Sequence, residues 1–161
     1  RRGPIPPPLD PAERDIALGE LRRHGGTEGA TLGLPLLTSV LGRVYDVSAA
    51  RGLFGLGGPY SMFVGHDGTY NLAVMSLKQG TLDRFAYEVD DEERQCLADW
   101  IAYFDNKFGR PVGRLSDKTH SLELRHLPPA TRIPFQEEEE EGAGEHAAGA
   151  AAPAGAPASR L

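Results

Sequence analysis

Tyr60 closes the run Gly55-Leu-Gly-Gly-Pro-Tyr60, which places an ionisable phenol at the end of a segment whose backbone is tightly constrained. Its glycines accept angles that are costly for other residues, and Pro59 cannot lie inside a strand, so the chain must turn here. The run lacks the Lys-Ser/Thr ending of a P-loop and is no dinucleotide fingerprint. No Ser/His/Asp order and no paired catalytic carboxylates stand out, and the chain reads as a non-enzyme. His66, beside Asp67, reads as a surface histidine paired with an acid, and Asp67 as the cap of the helix that follows. Cys96 is the sole cysteine, which excludes an internal disulfide and a zinc site built on paired cysteines. Next to Leu97 in a helical pattern, it reads as a small buried apolar residue. Lys107 falls on a last helix turn, where a cation is favourable through the helix dipole alone.

The elements that must position these groups are legible to different degrees. Five prolines within residues 1–11 make an extended arm. Ile16, Leu18 and Leu21 among charged residues predict a short helix over 12–24, ended by Gly25-Gly26, with a loop over 29–35. Leu36 to Val40 and Arg43 to Val47 predict a hairpin turning at Leu41-Gly42. Short helical pieces are expected over 60–64, 69–76 and 77–84. The clearest element is a helix from Asp91 to Phe108. Asp90 or Asp91 caps it, Glu92 and Glu93 suit its positive end, and Leu97, Trp100, Ile101, Phe104 and Phe108 share a face. Gly109 and Pro111 stop it, and residues 112–115 return as a strand.

The 161 residues, 40% apolar and 25% charged, suffice for one hydrophobic core. The expected division is a proline-rich arm over 1–11, one domain over 12–115, an extended strap over 116–136 and an acidic, then Ala/Gly/Pro-rich, tail over 137–161. That tail's composition cannot bury enough surface to offset chain ordering, so it is expected to be disordered in isolation. Six Glu and one Arg of the tail carry most of the net charge of −6, leaving 17 acids against 16 bases in the rest. A near-neutral domain has no electrostatic footprint for a nucleic-acid backbone. No apolar run is long enough to span a bilayer, since Leu32 to Leu41 is broken by Gly33, Pro35 and Ser39. A chain that begins with Arg leaves room for a removed leader or an anchor outside it.

Several short motifs occur in order: Gly42-Arg-Val-Tyr-Asp-Val-Ser48, the turn ending at Tyr60, Phe63-Val-Gly-His-Asp67 and Leu72-Ala73. With Glu20-Leu-Arg-Arg-His-Gly as a lead-in, this series resembles the membrane-associated progesterone receptor (MAPR) family over about eighty residues. The fold implied is α+β: the cytochrome b5-like haem/steroid-binding fold, a small mixed sheet with helical hairpins, here with extended N- and C-terminal arms. Tyr45 and Asp46 would be architectural, Tyr45 on one sheet face and Asp46 bonding turn amides.

The resemblance further implies a pocket for haem b in which Tyr60 is the single protein ligand to iron. A phenol of ordinary pKa about 10 becomes a hard anionic ligand when ferric iron displaces its proton, and one ligand leaves the opposite haem face open. Gly58 and Pro59 would shape the turn beneath the cofactor. Lys107 matches the family lysine that offers a charge-assisted hydrogen bond to a propionate or to the Tyr60 oxygen. Phe54 and Phe108 stand where relatives commonly carry tyrosine, which keeps apolar walls and removes two hydroxyls. His66 stands where relatives carry Lys or Arg, and Tyr70 and Asn71 are expected to re-line the pocket mouth. The function implied is a non-enzymatic haem-binding module acting within or on a larger membrane-associated assembly. Its alternative is a haem-free structural accessory subunit that keeps the fold, and a steroid or lipid carrier is a third reading. The arm and strap would hold protein partners, membrane contact would come through a partner or a removed anchor, and the open haem face would permit a haem-mediated dimer. An organellar membrane, endoplasmic reticulum or mitochondrion, is favoured over free cytosol.

Overall fold

The computed structural model describes residues 3–135, so the expected tail over 137–161 lies outside the described residues. In chain order the elements are β1 (Asp15–Ile16), α1 (Leu18–Arg22), α2 (Gly26–Leu32), β2 (Leu37–Val40), β3 (Arg43–Asp46), α3 (Arg51–Phe54), α4 (Thr69–Val74), α5 (Asp91–Phe108) and β4 (Gly113–Leu115). Single 3-10 turns at Ser48–Ala50, Ser61–Phe63, Gln79–Thr81 and Leu124–His126 lie among them.

The sheet order is β1-β4-β3-β2. β2 and β3 form the expected hairpin, Leu37 opposite Asp46 and Val40 opposite Arg43. Leu41 and Gly42 both have positive φ, the backbone that a two-residue hairpin turn requires. β4 joins β3 antiparallel and β1 parallel, so the sheet is mixed. Alternation along β3 sends Val44 into one apolar cluster with Ile16, Leu18, Leu21, Leu37 and Leu115. Tyr45 goes into the other, with Tyr60, Trp100, Ile101, Tyr103 and Phe104.

α5 is positioned by its start. Asp90 accepts a hydrogen bond from Glu93 N at 2.8 Å while Glu93 accepts from Asp90 N at 2.9 Å, a reciprocal cap worth about 1 kcal/mol. Gly109, with φ of 79°, ends the helix.

Two expectations are corrected here. Residues 15–16 are a strand rather than part of a helix, because they pair with Arg114 and Leu115, a partnership no local period can reveal. Residues 26–32, read as a helix stop and a loop, form α2. Glycine content argued against a helix. Gly33 supplies a left-handed cap, and buried Gly29 lies against His24, where any side chain would collide with that backbone.

The arm and the strap lie on the same chain. Leu9 N donates to Asp105 Oδ2 at 2.9 Å and Ala12 N to Pro111 O at 3.0 Å. From the strap, Thr131 N donates to Asp99 Oδ1 at 3.0 Å and Ser121 N to Phe85 O at 2.8 Å. Phe135, 4% exposed, sets its ring edge-on to Trp100 and Tyr103 at 6.0 and 5.5 Å.

Candidate functional site

The Gly55–Tyr60 turn is closed by its own backbone. Gly58 N donates to Gly55 O and Tyr60 N to Leu53 O, each at 2.9 Å. A side chain at Gly58 would put Cβ 2.5 Å from Leu53 O and 2.8 Å from Gly52 O, so glycine is required by close approach. The turn delivers Tyr60 into an aromatic cluster, 6% exposed, with ring centroids at 5.9 Å from Phe54, 6.1 Å from Phe63 and 6.5 Å from Trp100. Phe54, 3% exposed, continues the chain of rings to Phe108 at 6.1 Å. Three of the six expected residues, Gly58, Pro59 and Tyr60, lie on one turn, Phe54 ends α3 just before it, and α5 brings Phe108 to its rings. Lys107 precedes Phe108 and is exposed. Trp100, Phe104 and Phe108 were legible as an apolar face of α5. Tyr103, also buried, follows Trp100 by three residues, and that spacing was the available signal.

The segment after Tyr60 is stapled to the edge of β2. Gly65 N donates to Leu37 O, Ser39 N to His66 O and Gly68 N to Ser39 O, at 2.7 to 3.0 Å. Asp67, 1% exposed, is the hub of this staple. Its Oδ2 accepts from Ser39 Oγ at 2.6 Å and lies 2.9 Å from His120 Nε2, and its Oδ1 accepts from Thr69 N at 3.0 Å. The last bond satisfies the first N–H of α4 from one residue before the cap; the cap itself is Gly68, so Asp67 is not the cap residue that was expected. His120 Nδ1 lies 2.8 Å from Tyr87 Oη, so the hub also anchors the strap. Burial, then the nearby Asp67 charge, pushes the Tyr87 phenol well above its ordinary range. The acid beside His66 is Asp83 at 2.7 Å rather than Asp67, because Asp67 is turned into the core.

Asp46 Oδ1 accepts from Ser48 N at 2.9 Å, and Tyr45 donates to Asp105 Oδ1 at 2.7 Å. Burial, above all, raises the Tyr45 phenol. It also raises the Asp105 carboxyl, against the opposing pull of Leu9 N–H, the Tyr45 hydroxyl and Arg43. Asn71 is a correction. It is buried and holds the following loop, donating to Ser76 O at 3.2 Å and Lys78 O at 2.8 Å. Tyr70 packs on Tyr87 at 5.5 Å and under Arg84 at 4.6 Å. Cys96 is half-buried, its Sγ donating to Leu72 O at 3.3 Å.

No protein-family model matches the chain. Among curated proteins it is 38% identical over 115 residues to the cytochrome P450 regulator dap1 of Schizosaccharomyces pombe, a match covering 67% of this chain and 66% of that protein. It is 31% identical to probable steroid-binding protein 3 of Arabidopsis thaliana, covering 60% of this chain and 92% of the relative. It is 29% identical to human membrane-associated progesterone receptor component 2, covering 64% and 45%. The chain belongs to the MAPR family. A solved structure of a hypothetical protein from Arabidopsis thaliana, described as having a cytochrome b5-like fold, superposes with a TM-score of 0.57 at 28% identity, covering 65% of this chain and 93% of that one. The chain spans about half to two thirds of the length of several MAPR relatives.

A phenol that could donate its oxygen, aromatic rings that could form a wall and an exposed ammonium at the end of α5 are groups compatible with a haem at this turn. Tyr60 is buried as it stands, so a ligand reaching its oxygen needs the covering groups to give way. Among the described residues no helix is long and apolar enough to cross a membrane, and no group of three or more His, Cys, Asp or Glu is placed to hold a metal ion.

Proposed function

We propose that the chain is a non-enzymatic haem b-binding module in which Tyr60 is the single protein ligand to iron, acting within or on a larger membrane-associated assembly. The observation that carries this reading is the closed glycine turn, which holds a phenol against Phe54, Phe63 and Trp100. When bound, the cofactor would supply a ferric centre and one open coordination position. The remaining work belongs to the chain. Tyr60 gives up its Oη proton, a loss that is unfavourable at neutral pH unless a cation compensates it. Phe54, which packs on Tyr60 and is backed by Phe108, would exclude water from the phenolate. Lys107, at the exposed end of α5, offers a charge-assisted hydrogen bond to an anionic substituent of the cofactor. A single ligand suits sensing, storage or regulated binding better than rapid electron transfer, and the S. pombe relative's name, a cytochrome P450 regulator, supports action on a partner protein.

A steroid or lipid carrier is a further reading, supported by a groove of about 600 Å³ between the arm, α5 and the strap, lined by Pro7, Ile101, Ala102, Leu127 and Ile133. A haem-free accessory role is the second reading. It is favoured by the burial of Tyr60 and Phe54 and by the strap's Phe135 on Trp100. Titration of the full chain with haemin separates the two. A saturable high-spin ferric spectrum that Tyr60→Phe abolishes supports the haem module, and no haemin uptake by the wild-type chain supports the accessory role.

A further inference from the structure

Arg43 is 6% exposed, and its guanidinium is only partly engaged. Nε donates to Tyr45 Oη at 3.3 Å, but Nη2 is buried with no hydrogen-bond partner among the described residues. A buried, charged N–H without an acceptor is costly. The sheet compounds the cost, since Arg43 sits directly opposite Arg114 across β3 and β4, and like charges in that position repel.

An open pocket of about 340 Å³ lies at this end of the β2–β3 hairpin, lined by Arg43, Arg114, Lys118 and His120 on its polar side and by Gly42 and Leu124 elsewhere. Its charges divide clearly. Arg114 Nε is paired with Asp15 Oδ1 at 3.2 Å, Glu123, which also lines the pocket, has its carboxylate held by Arg125 at 2.7 Å, and His120 belongs to the Asp67 hub. That leaves Arg43, which lines the pocket and whose charge is shared with Asp105 across the Tyr45 hydroxyl, and Lys118, which is exposed and has no ion-pair partner among the described residues. A guanidinium fork beside an ammonium matches a compact dianion with several acceptor oxygens.

We propose that this pocket is an anion site for a phosphate monoester group, held by Arg43 and Lys118 with Arg114 as a third positive neighbour. It lies apart from the Tyr60 cluster and does not depend on haem. The phosphate can belong to a lipid headgroup or to a free molecule, and the two sources are separable. In the first arm the full chain is titrated with inorganic phosphate against chloride at constant ionic strength, read by calorimetry and by the thermal midpoint. In the second it is sedimented with phosphatidylcholine vesicles, with and without phosphatidic acid. Saturable phosphate binding that weakens about tenfold in Lys118→Ala and in Arg43→Met is expected. Sedimentation with phosphatidic acid vesicles, lost in Lys118→Ala, assigns the headgroup. Phosphate binding without sedimentation assigns a free ligand. Lys118 is exposed and decides the matter if Arg43→Met does not fold. Failure of binding in both arms, or binding that Lys118→Ala leaves unchanged, overturns the proposal.

Discussion

Replacing Asp67 by Ala tests whether the buried hub holds the fold around the Tyr60 turn. The wild-type carboxylate accepts from Ser39 Oγ and Thr69 N and pairs with His120 Nε2, all within 3.0 Å. Hydrogen bonds to a charged group contribute about 1.5–3 kcal/mol each, and three of them sharing one carboxylate do not add. Relief of the carboxylate's desolvation works the other way. It does not win, because the substitution strands the buried Ser39 hydroxyl and Thr69 amide and leaves His120 without its acid. The expected loss is about 4 kcal/mol, a large part of the roughly 5–15 kcal/mol that stabilises an ordinary domain. Asp67→Asn keeps Oδ1 for Thr69 N and can donate to a re-tautomerised His120, so about half that loss is expected. Guanidinium unfolding of the full chain, followed by circular dichroism, gives both values if the slope is unchanged. A loss below about 1 kcal/mol for Asp67→Ala would refute the reasoning.

Other consequences are more local. Gly58→Ala pushes Cβ against Leu53 O and Gly52 O, and a loss of about 2 kcal/mol together with weaker haemin uptake is expected in the same unfolding and titration assays. Phe135→Ala empties a buried ring site on Trp100 and Tyr103, with about 3 kcal/mol lost by chemical unfolding; a change near zero would mean that the strap is not part of the core in solution. For Asp83, burial alone would raise the carboxyl, but His66, Asp67 N–H and Arg22 hold it below its ordinary 3.8. A depressed acid contributes stability that is present above the unfolded value and lost as pH falls through the folded one. Asp83→Asn is therefore less stable than wild type at neutral pH, and the gap closes as pH falls below the ordinary carboxyl value of 3.8. A gap that stays constant across that window would contradict the assignment.

α5 was legible to the residue because a capping acid, a one-sided apolar pattern and a terminal glycine agree over eighteen positions. The hairpin and the Gly55–Tyr60 turn were legible because positive-φ and proline constraints are local. β1 was not, since its partner lies about a hundred residues away and two residues carry no period. Nor was α2, whose glycines oppose a helix by propensity and favour it only once Gly29 is packed on His24. The Asp67 hub joins residues 39, 67, 69, 87 and 120, so sequence proximity offered His66 as the acid's neighbour and missed His120. At the candidate site, the residue types and the turn were readable beforehand. The burial of Tyr60 was not, because it depends on rings brought in by α5.

Resonance Raman spectroscopy of the haemin-reconstituted full chain reads the iron ligand itself. Enhanced phenolate ring modes that disappear in Tyr60→Phe are expected. Phenolate modes that survive Tyr60→Phe, or a low-spin spectrum with two nitrogen ligands, would contradict Tyr60 ligation.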